Sequence, residues 1–344
     1  MSTNHLNLIR KYNKKEELFN KAMTKKFGQR YIDYRKQYLN LFKKEYELDF
    51  PLYIMLEQTY QCNLRCPSCI HGYLKDKNKF NVNKEVSVMT MQLYKKIIDE
   101  AAEYKCPSLA MMGYDEPLLV KNLPERINYA REKGFMDIIM TTNGNLFDEN
   151  KIKQIVDAGI TRILFSVDAA TSETYKITRP GKGSFTNVIR NMRLLKEYKE
   201  KNNLVIPYTR ASMVVTKNNE NEYVKFREKF IDLVDGIEFQ TFSTYYNKNT
   251  NIIPTNAEKI VDFSCSEPWA RTIIRQNGDV LPCCTFYGYE LPMGSIKKET
   301  IYNIYNSKEF KKIKQEVKSK EYSKLPCIEC SNSFYTSPDM AKEV

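Results

Sequence analysis

Apolar and polar positions between residues 52 and 240 follow two alternating periods. Short, mostly apolar runs predict buried strands, and amphipathic stretches with a helical repeat lie between them. The predicted strands cover residues 52–57, 109–112, 136–141, 162–167, 208–215 and 236–239. The predicted helices cover residues 90–104, 123–133, 149–158, 187–199 and 220–233. Strands that alternate with helices indicate parallel β-α-β units, so the pattern predicts an α/β fold.

Six strand–helix repeats are too few for a closed eight-fold barrel, so we expect an open, partial (β/α)6 barrel of the TIM type. Before it, apolar residues at helical spacing between Lys14 and Tyr46 predict a helical extension over residues 1–50. Residues 51–240 form the predicted barrel, and residues 241–262 a polar connector. Residues 263–330 form a separate, small, cysteine-rich unit, and residues 331–344 a loose tail.

Composition narrows the class of protein. The chain has 344 residues and no apolar run long enough to span a membrane. Its first ten residues lack the apolar core of a signal peptide, so a cytoplasmic location is expected, where nine cysteines favour metal ligands over disulfides. The net charge of +12 is spread out without an arginine-rich patch, so no nucleic-acid partner is expected.

The cysteine-rich stretch that follows the first predicted strand carries the strongest chemical signal. Cys62, Cys66 and Cys69 are spaced C-x3-C-x2-C. A [4Fe–4S] cluster normally takes four cysteines, so three on one loop leave one iron open, and an open position marks a catalytic metal. The alternatives are three buried cysteines without a metal, or a zinc site completed from elsewhere in the chain.

This spacing resembles the signature of the radical S-adenosylmethionine (SAM) superfamily. The resemblance implies that SAM chelates the open iron and that the reduced cluster cleaves it to a 5′-deoxyadenosyl radical. It also implies an electron donor such as flavodoxin or ferredoxin. Ser68 departs from the family, which usually has an aromatic residue there, near the adenine.

Four further segments at strand ends resemble the family's SAM-binding elements. Met111–Leu119 is similar to a G-x-G-E-P element, with Asp115 in place of its second glycine, and the others contain Thr-Asn-Gly, Ser-Val-Asp and a following arginine. A helix-start turn for the first and a solvated surface arginine for the last are the alternatives. The residues implied to contact SAM are Gly113, Glu116, Thr142, Asn143, Ser166, Asp168 and Arg179.

A second cysteine set lies in residues 263–330. The Asn277-Gly278 turn predicts a hairpin that brings Cys265 and Cys283 together, and Cys327-x2-Cys330 closes the set. The unit resembles the auxiliary-cluster domains known as SPASM and, in a shorter form, twitch. With five cysteines it matches twitch better, which implies one auxiliary [4Fe–4S] cluster held by Cys265, Cys283, Cys327 and Cys330. A structural zinc site is the alternative.

Two cysteines fall outside both sets. Cys284 is a bystander, a swapped ligand or a catalytic hydrogen-atom donor, the last by analogy with some radical SAM epimerases. Cys106 precedes the second predicted strand and is interpreted as structural.

The expected function is hydrogen-atom abstraction from a carbohydrate-type small molecule, anionic or sugar-like, which is then oxidised or epimerised. One auxiliary cluster is consistent with alcohol-to-ketone oxidation, since the cluster can accept the second electron. The alternatives are a peptide- or protein-modifying maturase and a non-enzymatic electron carrier.

Overall fold

The computed structural model describes residues 14–41, 47–73, 88–244, 250–261, 263 and 265–336. Short 3-10 helices cover Pro117–Leu119, Thr250–Ile252 and Phe286–Glu290. The α-helices are α1 (Lys14–Phe27), α2 (Gln29–Leu41), α3 (Ile70–Tyr73), α4 (Met91–Glu103), α5 (Leu123–Glu132), α6 (Glu149–Asp157), α7 (Ser172–Thr178), α8 (Phe185–Lys201), α9 (Tyr223–Phe230), α10 (Glu267–Ala270), α11 (Ile301–Tyr305), α12 (Lys308–Ser319) and α13 (Leu325–Ser331). The strands are β1 (Tyr53–Leu56), β2 (Ser108–Met111), β3 (Asp137–Thr142), β4 (Arg162–Ser166), β5 (Tyr208–Val214), β6 (Gly236–Gln240), β7 (Phe242–Ser243), β8 (Glu258–Lys259), β9 (Arg271–Ile274), β10 (Asp279–Leu281), β11 (Gly294–Ser295) and β12 (Phe334–Thr336).

Strands β1 to β6 pair in parallel in chain order, which confirms the predicted partial barrel. Side chains alternate across each strand, so one set faces the helices and the other faces the barrel interior. On β1, Ile54 and Leu56 join the large core under the helices, whereas Tyr53 and Met55 belong to a second cluster inside the barrel. Burial on both faces explains why these strands read as continuous apolar runs.

The cysteine-rich unit continues the barrel sheet, a contact that the sequence did not predict. Strand β9 pairs in parallel with β1, and β10 and β11 extend the same sheet by antiparallel pairing. The sheet has nine strands in the order β11-β10-β9-β1-β2-β3-β4-β5-β6. The predicted hairpin at Gly278 exists, with a φ of +92° at that glycine, and it joins β9 to β10.

The predicted connector and the predicted tail both contribute strands. Strand β12 lies between β7 and β8 in a three-stranded sheet. The prediction of a loose tail is therefore wrong for Phe334–Thr336, since backbone pairing ties this segment down. The final residues, 337–344, lie outside the described residues.

Helices α1 and α2 confirm the predicted helical extension. Phe19, Met23 and Tyr31 are buried against Tyr208 of β5, and the Tyr34 hydroxyl donates to Asp137 Oδ2 at 3.3 Å. The expectation about the first ten residues lies outside the described residues. In the part of the chain that is described, no helix is both long and apolar enough to cross a membrane.

Candidate active site

The three clustered cysteines lie on the loop that follows β1, at the carboxyl edge of the sheet. A second loop pairs with this one: Arg65 N–H donates to Pro180 O at 2.6 Å, and Lys182 N–H donates to Asn63 O at 2.8 Å. Between them Gly181 has a φ of +134°, and an added Cβ would come within 2.7 Å of Asn63 O. The close crossing of two backbones therefore requires glycine at this position.

The donor set fits the predicted cluster. Burial raises the pKa of the Cys69 thiol to about 12, and the thiolates of Cys66 and Cys62 lie close enough to raise it further. The three cysteines repel one another when they are thiolates, and a positively charged metal centre offsets this repulsion and stabilises the thiolate forms. Cys62, Cys66 and Cys69 would hold the cluster, and they leave its fourth position to a ligand from outside the loop.

The side chain of Glu116 reaches the end of the next strand. One of its carboxylate oxygens accepts from Thr142 Oγ1 at 2.6 Å, and the other accepts from Asn143 N–H at 2.8 Å. Glu116 also caps the 3-10 helix by accepting from Leu118 N–H at 3.2 Å. The structure thus brings together three residues predicted to contact SAM. Glu116 also caps a helix start, as the alternative interpretation expected, but this cap is only one of its contacts.

Asp115 has a structural part that sequence reasoning missed. Its Oδ2 accepts from the N–H groups of Gln58 and Thr59, at 3.0 and 3.3 Å, and so fixes the start of the cysteine loop. Burial raises the pKa of Asp115 well above its usual value. The replacement of the family's glycine was the only signal for this contact in the sequence.

Asp168 and Arg179 form a buried ion pair beside the cysteine loop. Arg179 Nη2 donates to Asp168 Oδ2 at 2.5 Å, and Asp168 Oδ1 accepts from Val214 N–H at 2.8 Å. Arg179 also lies beside Cys66, where its charge opposes the rise in the thiol pKa caused by burial. Its buried Nε has no hydrogen-bond acceptor among the described residues, and the SAM carboxylate would supply one. Ser166 lies on the inner face of β4 and lines the barrel cavity.

A second buried pair, missed by sequence reasoning, joins β1 to β9. Glu57 Oε1 lies 3.7 Å from Arg275 Nε, and its other oxygen accepts a hydrogen bond from the Tyr289 hydroxyl. Burial raises the pKa of Glu57 to about 7 against the influence of Arg275. Gly113 lies directly over this carboxylate, since an added Cβ would come within 2.8 Å of Glu57 Cβ. Sequence reasoning could not predict this ion pair, because it did not predict that β9 pairs with β1.

The second cysteine set converges on one cavity. Cys283 Sγ lies 3.4 Å from Thr285 Oγ1, and Cys330 Sγ lies 3.9 Å from the same hydroxyl. The cavity walls include Cys265 and Cys327, which completes the predicted four. Burial raises the pKa of the Cys327 thiol to about 12, and the thiolate of Cys283 raises it further. Four thiols around a mainly apolar space fit a closed, fully ligated cluster.

The two remaining cysteines have different surroundings. Cys284 also lines the cysteine cavity, and its Sγ donates to Glu267 Oε2 at 3.1 Å. The same carboxylate pairs with Arg271 at 2.9 Å. Cys106 is buried far from both sets and contacts the carbonyl oxygens of Leu52 and Ser108 at 3.6 Å, as a structural role requires.

A cavity of about 470 Å³ fills the barrel interior. Inner-face residues of the barrel strands form most of its lining, and α2 forms one side. Ser266, Glu267 and Arg271 from the cysteine-rich unit complete the wall. Glu267 also lines the cavity of the second cysteine set, so it separates the barrel interior from those cysteines.

The sequence matches the profile of the radical SAM superfamily over residues 56–230, about half of the chain. The chain belongs to the radical SAM superfamily. Residues 265–331 match the profile of SPASM, an iron–sulfur cluster-binding domain. As a radical SAM enzyme with this second domain, the chain uses a [4Fe–4S] cluster, SAM and an auxiliary iron–sulfur cluster, which confirms the predicted cofactors.

Among curated proteins, this radical SAM enzyme is similar to a tungsten-containing aldehyde ferredoxin oxidoreductase cofactor-modifying protein of Pyrococcus furiosus. The two are 24% identical over 75% of this chain and 78% of that protein. Four other curated relatives are matched over only 34–38% of their own length, and their names include cyclase, synthase and methyltransferase activities.

Two solved structures share the fold of this enzyme. BtrN in complex with AdoMet and 2-DOIA has a TM-score of 0.55 and 22% identity, over 82% of this chain and 92% of that one. SuiB from Streptococcus suis bound to the precursor peptide SuiA has a TM-score of 0.59 and 15% identity, over 88% of this chain and 74% of that one. At these identities the likeness establishes the fold alone.

Proposed function

We propose that this radical SAM enzyme is an oxidoreductase that acts on a carbohydrate-type small molecule and either oxidises it or inverts one of its carbon centres. The observation that supports this proposal best is the shared wall at Glu267. A substrate in the barrel cavity lies one side chain away from the second cysteine set, where an electron from a substrate radical can be taken up.

The size and lining of the cavity favour a small molecule over a peptide. A volume of about 470 Å³ lies in the range of small-molecule sites. Polar inner-face groups such as Ser166, Ser212 and Gln240 provide hydrogen-bonding partners for hydroxyl groups. A peptide-modifying maturase is the alternative, and it would require the cavity to admit an extended chain.

When bound, the two clusters and SAM supply the radical chemistry that removes a hydrogen atom and one further electron from the substrate. Cys62, Cys66 and Cys69 hold the first cluster in this proposal, and Cys265, Cys283, Cys327 and Cys330 hold the second. Helix α2 forms one side of the barrel cavity and so limits the access of water to a substrate bound there.

The predicted SAM contacts are retained in this proposal. Glu116, Thr142 and Asn143 form a fixed polar edge beside the amino and ribose groups, and Gly113 keeps the backbone open there. Arg179, held by Asp168, provides a two-pronged donor for the carboxylate. Ser166 faces the same ligand from the inner face of β4.

Cys284 is proposed as the hydrogen-atom donor if the product is an epimer. Its thiol donates to Glu267, which the two cavities share, and in this proposal it gives its hydrogen atom to a substrate radical at that wall. The thiyl radical left on Cys284 would take up one proton and one electron, the latter from the adjacent auxiliary cluster. Oxidation needs no such donor, and Cys284 is then a bystander. We also propose a cytoplasmic location and a flavodoxin or ferredoxin as electron donor.

The test is anaerobic turnover of the reconstituted, reduced protein with SAM. Formation of 5′-deoxyadenosine supports the radical SAM reaction, and its absence would overturn it. With sugars, amino sugars and cyclitols as candidate substrates, a product two mass units lighter indicates oxidation. A product that has the substrate's mass in H2O and is one mass unit heavier in D2O indicates epimerisation. Modification of a peptide, with no change in any sugar, would favour the alternative.

A further inference from the structure

The side of the barrel cavity formed by α2 contains a row in which two aromatic rings lie between two arginines. The Arg35 guanidinium lies 5.1 Å from the Tyr38 ring centroid, and that ring lies 6.2 Å from the ring of Tyr53 on β1. Arg271 of β9 lies 4.9 Å from the Tyr53 ring. All four residues line the cavity, so the row runs from the helical extension to the cysteine-rich unit.

The cavity lining contains four arginines and four acidic residues, and three of these arginines make ion pairs within the lining. Within the lining, Arg162 pairs with Asp137 at 3.1 Å, and Arg210 pairs with Glu238 at 2.7 Å. Arg271 pairs with Glu267, as described above. Arg35 has no carboxylate within ion-pair distance in the described part of the chain. Asp137 is the carboxylate whose charge acts on Arg35, and it already pairs with Arg162, so the half-buried Arg35 guanidinium favours a ligand that brings its own negative charge.

The other end of the row has polar atoms that lack partners. Ser266 is 1% exposed, and its Oγ makes no hydrogen bond to any described residue. Arg271 Nε is also buried without an acceptor among those residues. Buried polar groups are normally satisfied, and leaving one unpaired costs free energy, so these two residues of the cavity lining favour a ligand that carries hydroxyl groups.

We propose that this row is a substrate subsite for a sugar or cyclitol that carries a carboxylate or phosphate group. Arg35 binds the anionic group, and the rings of Tyr38 and Tyr53 pack against the C–H groups of the sugar. Ser266 and Arg271 bind hydroxyl groups at the end nearest Cys284. The subsite deepens the proposed function, on which it rests, by defining the substrate class as an anionic sugar.

The experiment measures binding to the anaerobic, SAM-loaded holoenzyme by calorimetry, with glucose 6-phosphate, glucuronate and glucose as probes. We expect at least one anionic probe to bind at millimolar concentration and glucose to bind more weakly, because only the anions engage Arg35. The two anionic probes separate phosphate from carboxylate recognition. Failure of both to bind, or binding no tighter than that of glucose, would overturn the subsite.

Two charge-matched variants on the same helix sharpen the test. Arg35→Gln is expected to weaken binding of the anionic probe by about tenfold or more, the loss expected for one charge-assisted hydrogen-bonding group. Lys36→Gln removes the same charge from the exposed face of α2 and is expected to leave binding unchanged. Equal effects of the two variants would mean that only net charge matters, which contradicts the proposal.

Further measurements distinguish failure of the subsite from misfolding of a variant and from failure of the proposed function. Iron content and unfolding temperature are measured for both variants to detect misfolding. If Arg35→Gln loses iron, Arg35→Lys replaces it in the test, because lysine retains the positive charge. Arg35→Lys is then expected to bind the anionic probe with intermediate affinity, and wild-type affinity would count against recognition by the guanidinium fork. If wild-type protein cleaves SAM but binds no anionic probe, the subsite alone is wrong. If it cleaves no SAM, the proposed function fails first.

Discussion

At the scale of single residues, buried carboxylates hold the loops at the carboxyl edge of the barrel. Asp115 fixes the cysteine loop, Glu116 links the loop after β2 to the end of β3, and Glu57 links β1 to the cysteine-rich unit. Each of these carboxyl groups replaces its lost hydration with N–H and O–H donors or with a cation, as buried polar groups must. These contacts organise the carboxyl edge of the barrel.

Glu57 makes stability depend on pH in a direction that can be stated. Its folded pKa of about 7 lies above its usual value of 4.5, so its contribution is present below pH 4.5 and is lost as pH rises through 7. Glu57→Gln should remove about 3 kcal/mol of this pH dependence. Urea unfolding of wild type and variant across this window measures it. Glu125→Gln, an exposed carboxylate on α5, should leave the wild-type slope unchanged. A Glu57→Gln slope equal to that of wild type would mean that burial does not raise this pKa.

The two cysteine sets should separate in function. Cys62→Ala should abolish SAM cleavage and lower iron from about eight to about four per chain, because one cluster is lost. Cys283→Ala should lower iron similarly but retain some SAM cleavage while product formation stops. Cys106→Ala, at the buried cysteine away from both sets, should keep its iron. Iron analysis and 5′-deoxyadenosine assays measure these outcomes, and SAM cleavage by Cys62→Ala would exclude the assigned catalytic cluster.

At the scale of elements, the loop after α7 holds the cysteine loop in place. Gly181 lies between the hydrogen bonds from Arg65 and Lys182, and the same loop carries Arg179 to Cys66. The cluster-binding loop and the arginine beside it are thus one unit, although more than a hundred residues of sequence separate them.

Gly181→Ala should disrupt this unit. The added Cβ meets backbone atoms of Asn63 and Leu64 at 2.7 Å, so we expect a loss of about 3 kcal/mol or more in unfolding free energy and a lower iron content. Gly134→Ala is the matched control, since its φ is +96° but no atom lies within 4 Å of the added Cβ. Gly134→Ala should lower the unfolding free energy by about 1 kcal/mol and leave the iron content unchanged. Urea unfolding and iron analysis separate the two, and equal losses would mean that backbone strain alone matters.

At the scale of the whole molecule, pairing of β9 with β1 makes the barrel and the cysteine-rich unit share one sheet. The edge of β1 that a separate barrel would expose is covered, and the buried Glu57–Arg275 pair crosses the same junction. Backbone hydrogen bonds and a desolvated ion pair favour concerted unfolding over independent domains.

Trp269, the only tryptophan, tests this coupling. It is buried on α10 in the cysteine-rich unit, so its fluorescence reports that unit, whereas far-ultraviolet circular dichroism is dominated by the barrel helices. We expect the two signals to change at the same urea concentration in the cluster-loaded protein. Transitions at separate concentrations would mean that the two units unfold independently.

Local pattern predicted much of this fold because each signal lies within one segment. The six barrel strands were predicted to within about two residues at their ends, and α4 and α5 likewise, since apolar periodicity reflects burial directly. Helix α7 was missed because its seven residues, Ser172–Thr178, are too few to establish a period. Strand β12 was missed because it is short and depends on partners 75 or more residues away.

The sequence by itself determined the order of strands and helices, the two cysteine sets and the superfamily, because spacing along the chain determines which donors one loop can present. Only the tertiary structure decided that β9 joins β1, that Arg179 pairs with Asp168 beside Cys66, and that Glu267 divides the two cavities. These are contacts between distant segments. Their formation depends on how the whole sheet curves and packs, which no local pattern encodes.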